Sequence, residues 1–167
     1  MDDIVTNYKG VFKFYYQKII KEIIQIGNLS MVEGNILDFG CGEKQLQKAL
    51  NRKILNYDIN PEYSEIDDYK KLSYDVIVVN QVLMYMTKNE IFNFFNELKK
   101  TNKNIQIIVV ISKHNYVTKI LRKIFKKKKL IGIKSTFEDQ FEIISKQTII
   151  IKKKILYKNA YIFLLKF

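Results

Sequence analysis

Residues 35–42 read Asn35-Ile36-Leu37-Asp38-Phe39-Gly40-Cys41-Gly42, and the rest of the chain is organised around them. The apolar run at the front predicts a short buried strand. The two glycines let the backbone turn tightly, and Glu43 to Leu50 then reads as a helix with Leu46, Ala49 and Leu50 facing inward. A strand, a glycine turn and a helix N-terminus together form a cradle for an anionic or polar nucleotide-like ligand. The next apolar stretch, Lys53-Ile54-Leu55-Asn56-Tyr57-Asp58, ends on an acid twenty residues after Asp38. A second parallel strand ending there would present its carboxylate to ribose hydroxyls.

A dinucleotide fingerprint needs a third small residue where this chain has Gln45, which disfavours NAD. Ile36-Leu37-Asp38-Phe39-Gly40-Cys41-Gly42 instead resembles the first motif of class I S-adenosylmethionine (SAM)-dependent methyltransferases. Two later stretches agree in order and character. Tyr57-Asp58-Ile59-Asn60-Pro61-Glu62 resembles the acidic end of that family's second strand, and Tyr74 to Leu83 resembles its fourth strand and the following turn. The resemblance covers roughly residues 10–167, most firmly 35–112. It implies a doubly wound α/β Rossmann-like sheet, mostly parallel, completed by a C-terminal antiparallel hairpin.

Length and composition bound the rest. A chain of 167 residues suits one domain with a sizeable core, here with an N-terminal helical segment over 1–27 and a basic insertion over 113–134. The acidic start Met1-Asp2-Asp3 and the lack of any apolar run near 18 residues predict neither a signal peptide nor a membrane span. The single cysteine, Cys41, fits a reducing cytoplasm and excludes an internal disulfide framework. Charge is uneven: residues 1–112 hold 14 basic and 14 acidic residues, while 113–167 hold 15 and 3 and so carry the whole net charge of +12. Between 113 and 134 stand nine basic residues and no acidic one, a patch suited to an anionic partner.

Read in order, Val11 to Ile26 has helical spacing of Phe12, Tyr15, Tyr16, Ile19, Ile20, Ile23 and Ile24, closed by Gly27-Asn28. The resemblance implies that this helix covers the cofactor, so Tyr15 or Tyr16 either touches its methionyl part or is plain core. Only sixteen residues, 59–74, separate the second strand from Asp75. One crossover takes about 10–12 residues or more, so the family's third, edge strand is expected to be missing. Ser64 to Tyr69 is either a short capped helix placing Asp67 or Asp68 near adenine, or a solvated acidic turn. Met84-Tyr85 stands where many relatives carry Glu-His, which removes that acid-base pair. Thr87-Lys88-Asn89-Glu90 has capping-box spacing before a helix burying Ile91, Phe94, Phe95 and Leu98, and Ile105–Ile111 reads as a central strand. Val117, Ile120, Leu121, Ile124 and Phe125 form the apolar side of a basic amphipathic helix. Its Lys119, Arg122, Lys123, Lys126, Lys127, Lys128 and Lys129 would meet nucleic acid, another anionic partner, a membrane surface or only solvent. Ser135 to Lys146 reads as a further helix with Phe137, Phe141 and Ile144 inward, and 148–155 with 160–167 as a hairpin.

By the resemblance, the cofactor is SAM. Gly40, Cys41 and Gly42 would pass under its methionyl and ribose parts, and Asp38 would anchor the loop or reach the methionyl amine through water. Asp58 would accept from the ribose hydroxyls beside Ile59, and Asn80 and Gln81 would border the methyl-transfer face. The lone histidine, His114, is either a general base for a hydroxyl acceptor or an exposed loop residue. No metal-ligand cluster is present, and the acceptor is not written in the sequence. The alternative function is a catalytically degenerate relative that binds nucleic acid, a membrane surface or a protein.

Overall fold

The computed structural model describes residues 11–113 and 132–167. His114 and the basic residues from Lys119 to Lys129 lie outside them. Six strands form one sheet in the order β2-β1-β3-β4-β6-β5. They are β1 (Ile36–Phe39), β2 (Leu55–Tyr57), β3 (Val76–Asn80), β4 (Gln106–Ser112), β5 (Ile149–Leu156) and β6 (Ala160–Lys166). The first four run parallel; β6 pairs antiparallel with both β4 and β5. The expected edge strand is missing, as the short 59–74 connection requires, and β2 forms that edge itself.

Alternation along the strands splits the core into two layers. One face holds Ile36, Val76, Val78, Ile108, Val110, Ile162 and Leu164 under α1 (Val11–Gly27), whose Ile19 and Ile23 are fully buried there. The other holds Leu37, Ile77, Val79, Ile107, Val109, Phe163 and Leu165. It packs against α3 (Lys88–Thr101) through Ile91, Phe94, Phe95 and Leu98. The last helix, α4 (Phe137–Gln147), adds Ile144, with Phe137 and Phe141 half-buried beside it. Continuous β-branched runs at β3 and β4 follow from burial on both faces.

Local chemistry sets the ends. Thr87 and Glu90 complete the reciprocal cap expected for α3. Thr136 and Asp139 form a second one, so α4 begins at Phe137 rather than Ser135. Asn28 supplies the left-handed turn after α1, at φ 49°. Gly27 is the last helical residue, and a Cβ there would meet Ile108 at 2.2 Å. The helix after the glycine turn is shorter than expected: α2 spans Gln45–Leu50, behind a left-handed Lys44. Leu46 is buried, but Leu50 is only half-buried and Ala49 is exposed, because six residues turn too little of their surface to the sheet. No helix forms over 64–68. Asp68 instead caps a 3-10 turn at Tyr69–Lys71 by accepting from the Lys70 amide. At the opposite edge β5 is exposed along seven of its eight residues, carries Lys152, Lys153 and Lys154, and has a bulge near Ile151.

Candidate active site

The sheet order reverses at β1: β2 extends to one side and β3 to the other. A crevice at the carboxyl ends of such strands is where open α/β sheets bind ligands, and the glycine loop leaves β1 there. Gly40 and Gly42 both take left-handed φ, 79° and 47°. A Cβ on Gly40 would lie 2.3 Å from Val82, so the loop passes too close for any side chain. At Gly42 nothing stands within 4 Å, which leaves an open cradle.

The end of β2 holds this loop in shape. The Gly40 and Cys41 amides both donate to the Tyr57 carbonyl, at 2.7 and 3.1 Å. Gly42 N donates to one Asp58 oxygen at 3.0 Å, and Asn60 N donates to the other at 2.9 Å. Of the two roles implied for Asp38, anchoring the loop or reaching the methionyl amine through water, the first is carried here by Asp58. Next to it Ile59 is 93% exposed, an apolar side chain standing in solvent beside the crevice. Lys44 binds Glu65 at 2.7 Å, and the other Glu65 oxygen accepts from Asn56 at 2.8 Å. The Asn56 amide first and Lys44 second hold the Glu65 carboxyl below its usual range.

Asp38 is the exception. It is only 4% exposed, and among the described residues none donates to it. Burial pushes its carboxyl up to about 7, and the negative charge of Asp58 adds to the rise. Cys41 sits in the same acidic surroundings. Burial, then Asp38 and Asp58, push its thiol up to about 12 while Sγ donates to the Tyr63 carbonyl. A thiol so held is a small packing residue and no nucleophile.

On the β3 side, Gln81 takes a left-handed φ of 59°. Its amide donates to the Val110 carbonyl at 3.0 Å. Non-glycine residues occupy that region at a cost, and such strain clusters at ligand sites. Asn80 Oδ1 and Gln81 Nε2 are buried without partners. A 3-10 turn at Leu83–Tyr85 follows as the floor. Two residues that sequence reasoning passed over secure it: Lys134 N donates to the Met84 carbonyl at 2.8 Å, and Ser135 Oγ donates to that of Leu83 at 2.9 Å. Gln140 in turn donates to both oxygens of Ser135. A buried Ser and Gln within one turn of a capping box was the available signal. From α1, Tyr15 does double duty. Its ring packs on the core, and its hydroxyl interacts with Ser112 and Asn159, although burial prevails and raises its pKa. Among the described residues no group of acidic, cysteine or histidine side chains could hold a metal ion, and no helix is long and apolar enough to cross a membrane.

Solved structures share this fold. PH0226 protein from Pyrococcus horikoshii OT3 superposes with a TM-score of 0.64 at 13% identity, over 91% of this chain and 90% of that one. The chain has the class I SAM-dependent methyltransferase fold. Magnesium protoporphyrin IX methyltransferase (ChlM) from Synechocystis PCC 6803 with bound S-adenosylhomocysteine (SAH) matches at 0.63 and 14% identity, over 98% and 90%. N-methyltransferase NodS from Bradyrhizobium japonicum WM9 matches at 0.62 and 12%, over 91% and 96%. No family model and no curated protein matches the sequence. The stretch that resembles the family's fourth strand forms β3 here, because the edge strand before it is missing.

The residues present fit the cofactor of that fold. Asp38 is a buried acid with no described donor, Gly42 leaves open space where a side chain would intrude, and two polar side-chain atoms of Asn80 and Gln81 await partners. A ligand carrying cationic and hydrogen-bonding groups answers all of these.

Proposed function

We propose that the chain binds SAM at the carboxyl ends of β1, β2 and β3 and catalyses methyl transfer to an acceptor. The observation that carries this reading is the coincidence, at one crevice, of the open Gly42 cradle with the buried Asp38, to which none of the described residues donates. When bound, SAM supplies a methyl group already activated by its sulfonium. The protein has only to bind, orient and exclude water. Gly40, Cys41 and Gly42 form the floor beneath the methionyl and ribose parts. Asp38 faces the methionyl amine. Asp58, having two backbone amides on its oxygens, keeps lone pairs for a ribose hydroxyl. Ile59 offers an apolar cover for the base, and Asn80 and Gln81 border the methyl. With the third strand missing, the adenine side is open next to β2.

Calorimetric titration of the pure protein with SAM and SAH tests this directly. Micromolar binding of both is the expected result, and no heat at millimolar ligand overturns the reading. One observation favours a second reading, in which the cofactor site has lapsed: the sheet edge that would flank adenine is gone. In that case the basic segment from Lys119 to Lys129 is the functional part, on an anionic macromolecule. Replacing Lys126 to Lys129 with Ser would then abolish such binding while SAM affinity, if present, stays unchanged. A reducing, cytoplasmic setting accords with a lone buried thiol.

A further inference from the structure

The two edges of the sheet are finished differently. At β2 the chain covers its own edge: Glu65 N donates to the Asn56 carbonyl at 2.9 Å, and Asp58 N donates to Ser64 Oγ at 3.1 Å. Beyond β5 no further strand lies among the described residues. Past the bulge, Lys152 to Leu156 keep an unbroken antiparallel register with β6, opposite Leu164 to Ala160. Alternate residues of such a stretch turn their amide and carbonyl groups outward, which makes a template for one more strand.

Register also fixes what an added strand would meet. Lys152 and Lys154 lie opposite Leu164 and Ile162, which belong to the α1 face, while Lys153 and Ile155 lie opposite Phe163 and Tyr161 on the other. On the α1 side a groove of about 420 Å³ runs between the three lysines and a wall of Glu22, Gln25 and Ile26. Glu22 is buried and already shared, with Lys18 at 2.9 Å and Lys154 at 3.6 Å. Lys18 first, and Lys154 after it, hold its carboxyl below the usual range. The groove is therefore positive, on a chain whose net charge is +12. On the other side the Lys153 ammonium lies over the Tyr161 and Phe163 rings at 5.3 and 5.9 Å, and the exposed Ile155 continues an apolar strip.

We propose that the β5 edge takes an acidic, extended segment of a partner protein as a seventh strand. Carboxylates at alternate positions of that segment face Lys152 and Lys154, and aliphatic side chains at the positions between lie beside Ile155. Opposite charges across a strand pair are favourable, and like charges are not. A second copy of β5 would set the lysine triplets against each other, so the charge that holds copies apart is the charge that selects an acidic strand. A nucleic-acid strand would meet the ammoniums but leave the outward amides and the exposed isoleucines unused. The surface is separate from the glycine-loop crevice and does not depend on cofactor binding.

The test titrates capped octapeptides calorimetrically into the full chain. A peptide alternating Glu and Val should bind about fivefold or more tightly than its isomer with four Glu followed by four Val, which has equal charge. Methylating the backbone nitrogens of either all Glu or all Val residues should abolish binding for one set and spare it for the other, because only one set turns toward β5. Lys152→Glu should weaken the alternating peptide about fivefold or more at an unchanged melting temperature. Replacing Lys126 to Lys129 with Ser should leave its affinity as it was. Equal binding of the two isomers overturns the proposal, as do equal effects of the two methylated sets. So does a loss that follows Lys126 to Lys129 instead of Lys152. An octathymidylate that binds more tightly than the peptide and is lost with Lys152→Glu gives the edge to nucleic acid and also overturns it.

Discussion

The two faces of the sheet end differently at their carboxyl edge. On the α3 face the strand ends are sealed by rings. Phe39 stacks on Tyr57 at 5.2 Å, meets Tyr69 edge-on at 4.9 Å and touches Phe94 at 4.8 Å. Tyr57 and Tyr69 close the group at 4.9 Å. Burial raises the Tyr69 hydroxyl pKa well above its usual value. On the α1 face, one residue along each strand, the corresponding positions are Asp38, Asn80 and Ser112, with unmet polar groups. Neighbouring residues of the same strands thus serve opposite ends. The ring-sealed face supplies cohesion where the missing edge strand gives none, and this allows the other face to stay polar and unfinished.

The largest effect should come from breaking the seal. Phe94→Ala removes a ring in contact with Phe39, Tyr69 and Phe95. It should cost about 3–5 kcal/mol in denaturant unfolding; a cost below about 1 kcal/mol would show that the rings are not the anchor.

Asp38→Asn sharpens the other side of the comparison. The native carboxyl titrates near 7 instead of near 3.8, so the folded state holds a proton that the unfolded state has already released across that interval. Stability conferred by the protonated group is complete below about 4 and is lost as pH rises to about 7. Thermal unfolding from pH 4 to 8 should show the variant gaining on the parent by roughly 2–4 kcal/mol. Parallel pH profiles would show that Asp38 ionises freely.

For Asp58→Ala the expectation is a loss of about 1–3 kcal/mol, because the Gly42 and Asn60 amides lose their acceptor. SAM affinity should fall tenfold or more by calorimetry, since loop shape and ribose contact go together. Unchanged affinity would place the ribose elsewhere.

Smallest of all is Ser112→Val. Trading an unsatisfied buried hydroxyl for a methyl beside Val110 should shift stability by less than about 1 kcal/mol, in the stabilising direction. A loss of several degrees in melting temperature would mean that Ser112 holds the sheet together.

Much of this was legible in the chain. The strand, glycine turn and acid at Asp58 are local patterns, as are the capping box at Thr87 and the β-branched run of β4, and each formed where its period and punctuation indicated. The six residues of α2 were harder, because a left-handed Lys44 shortens the helix and leaves Ala49 in solvent. That Asp58 and not Asp38 anchors the loop was invisible, since only the three-dimensional path of the loop decides which acid meets the Gly42 amide. The alignment of Asp38, Asn80 and Ser112 on one face was hidden for a related reason. Asp38, Asn80 and Ser112 are spread over 75 residues, and only the inter-strand register aligns them. Ring clustering of Phe39, Tyr57, Tyr69 and Phe94 likewise draws on four separate segments.

The outer strand β5 has a consequence for handling the protein. Ile149, Ile151 and Ile155 are exposed there, at 61%, 46% and 45%, on a strand with one side unpaired among the described residues. What keeps such an edge from zipping onto another molecule is the lysine triplet at its centre and the bulge that interrupts its hydrogen-bonding rhythm. Charge repulsion of that kind fades as added salt shortens its range, to about 3 Å at 1 M ionic strength. Concentrated brine, usually chosen to quiet a basic protein, would here strip the edge of its guard and favour precipitation, so storage at modest ionic strength suits this chain best.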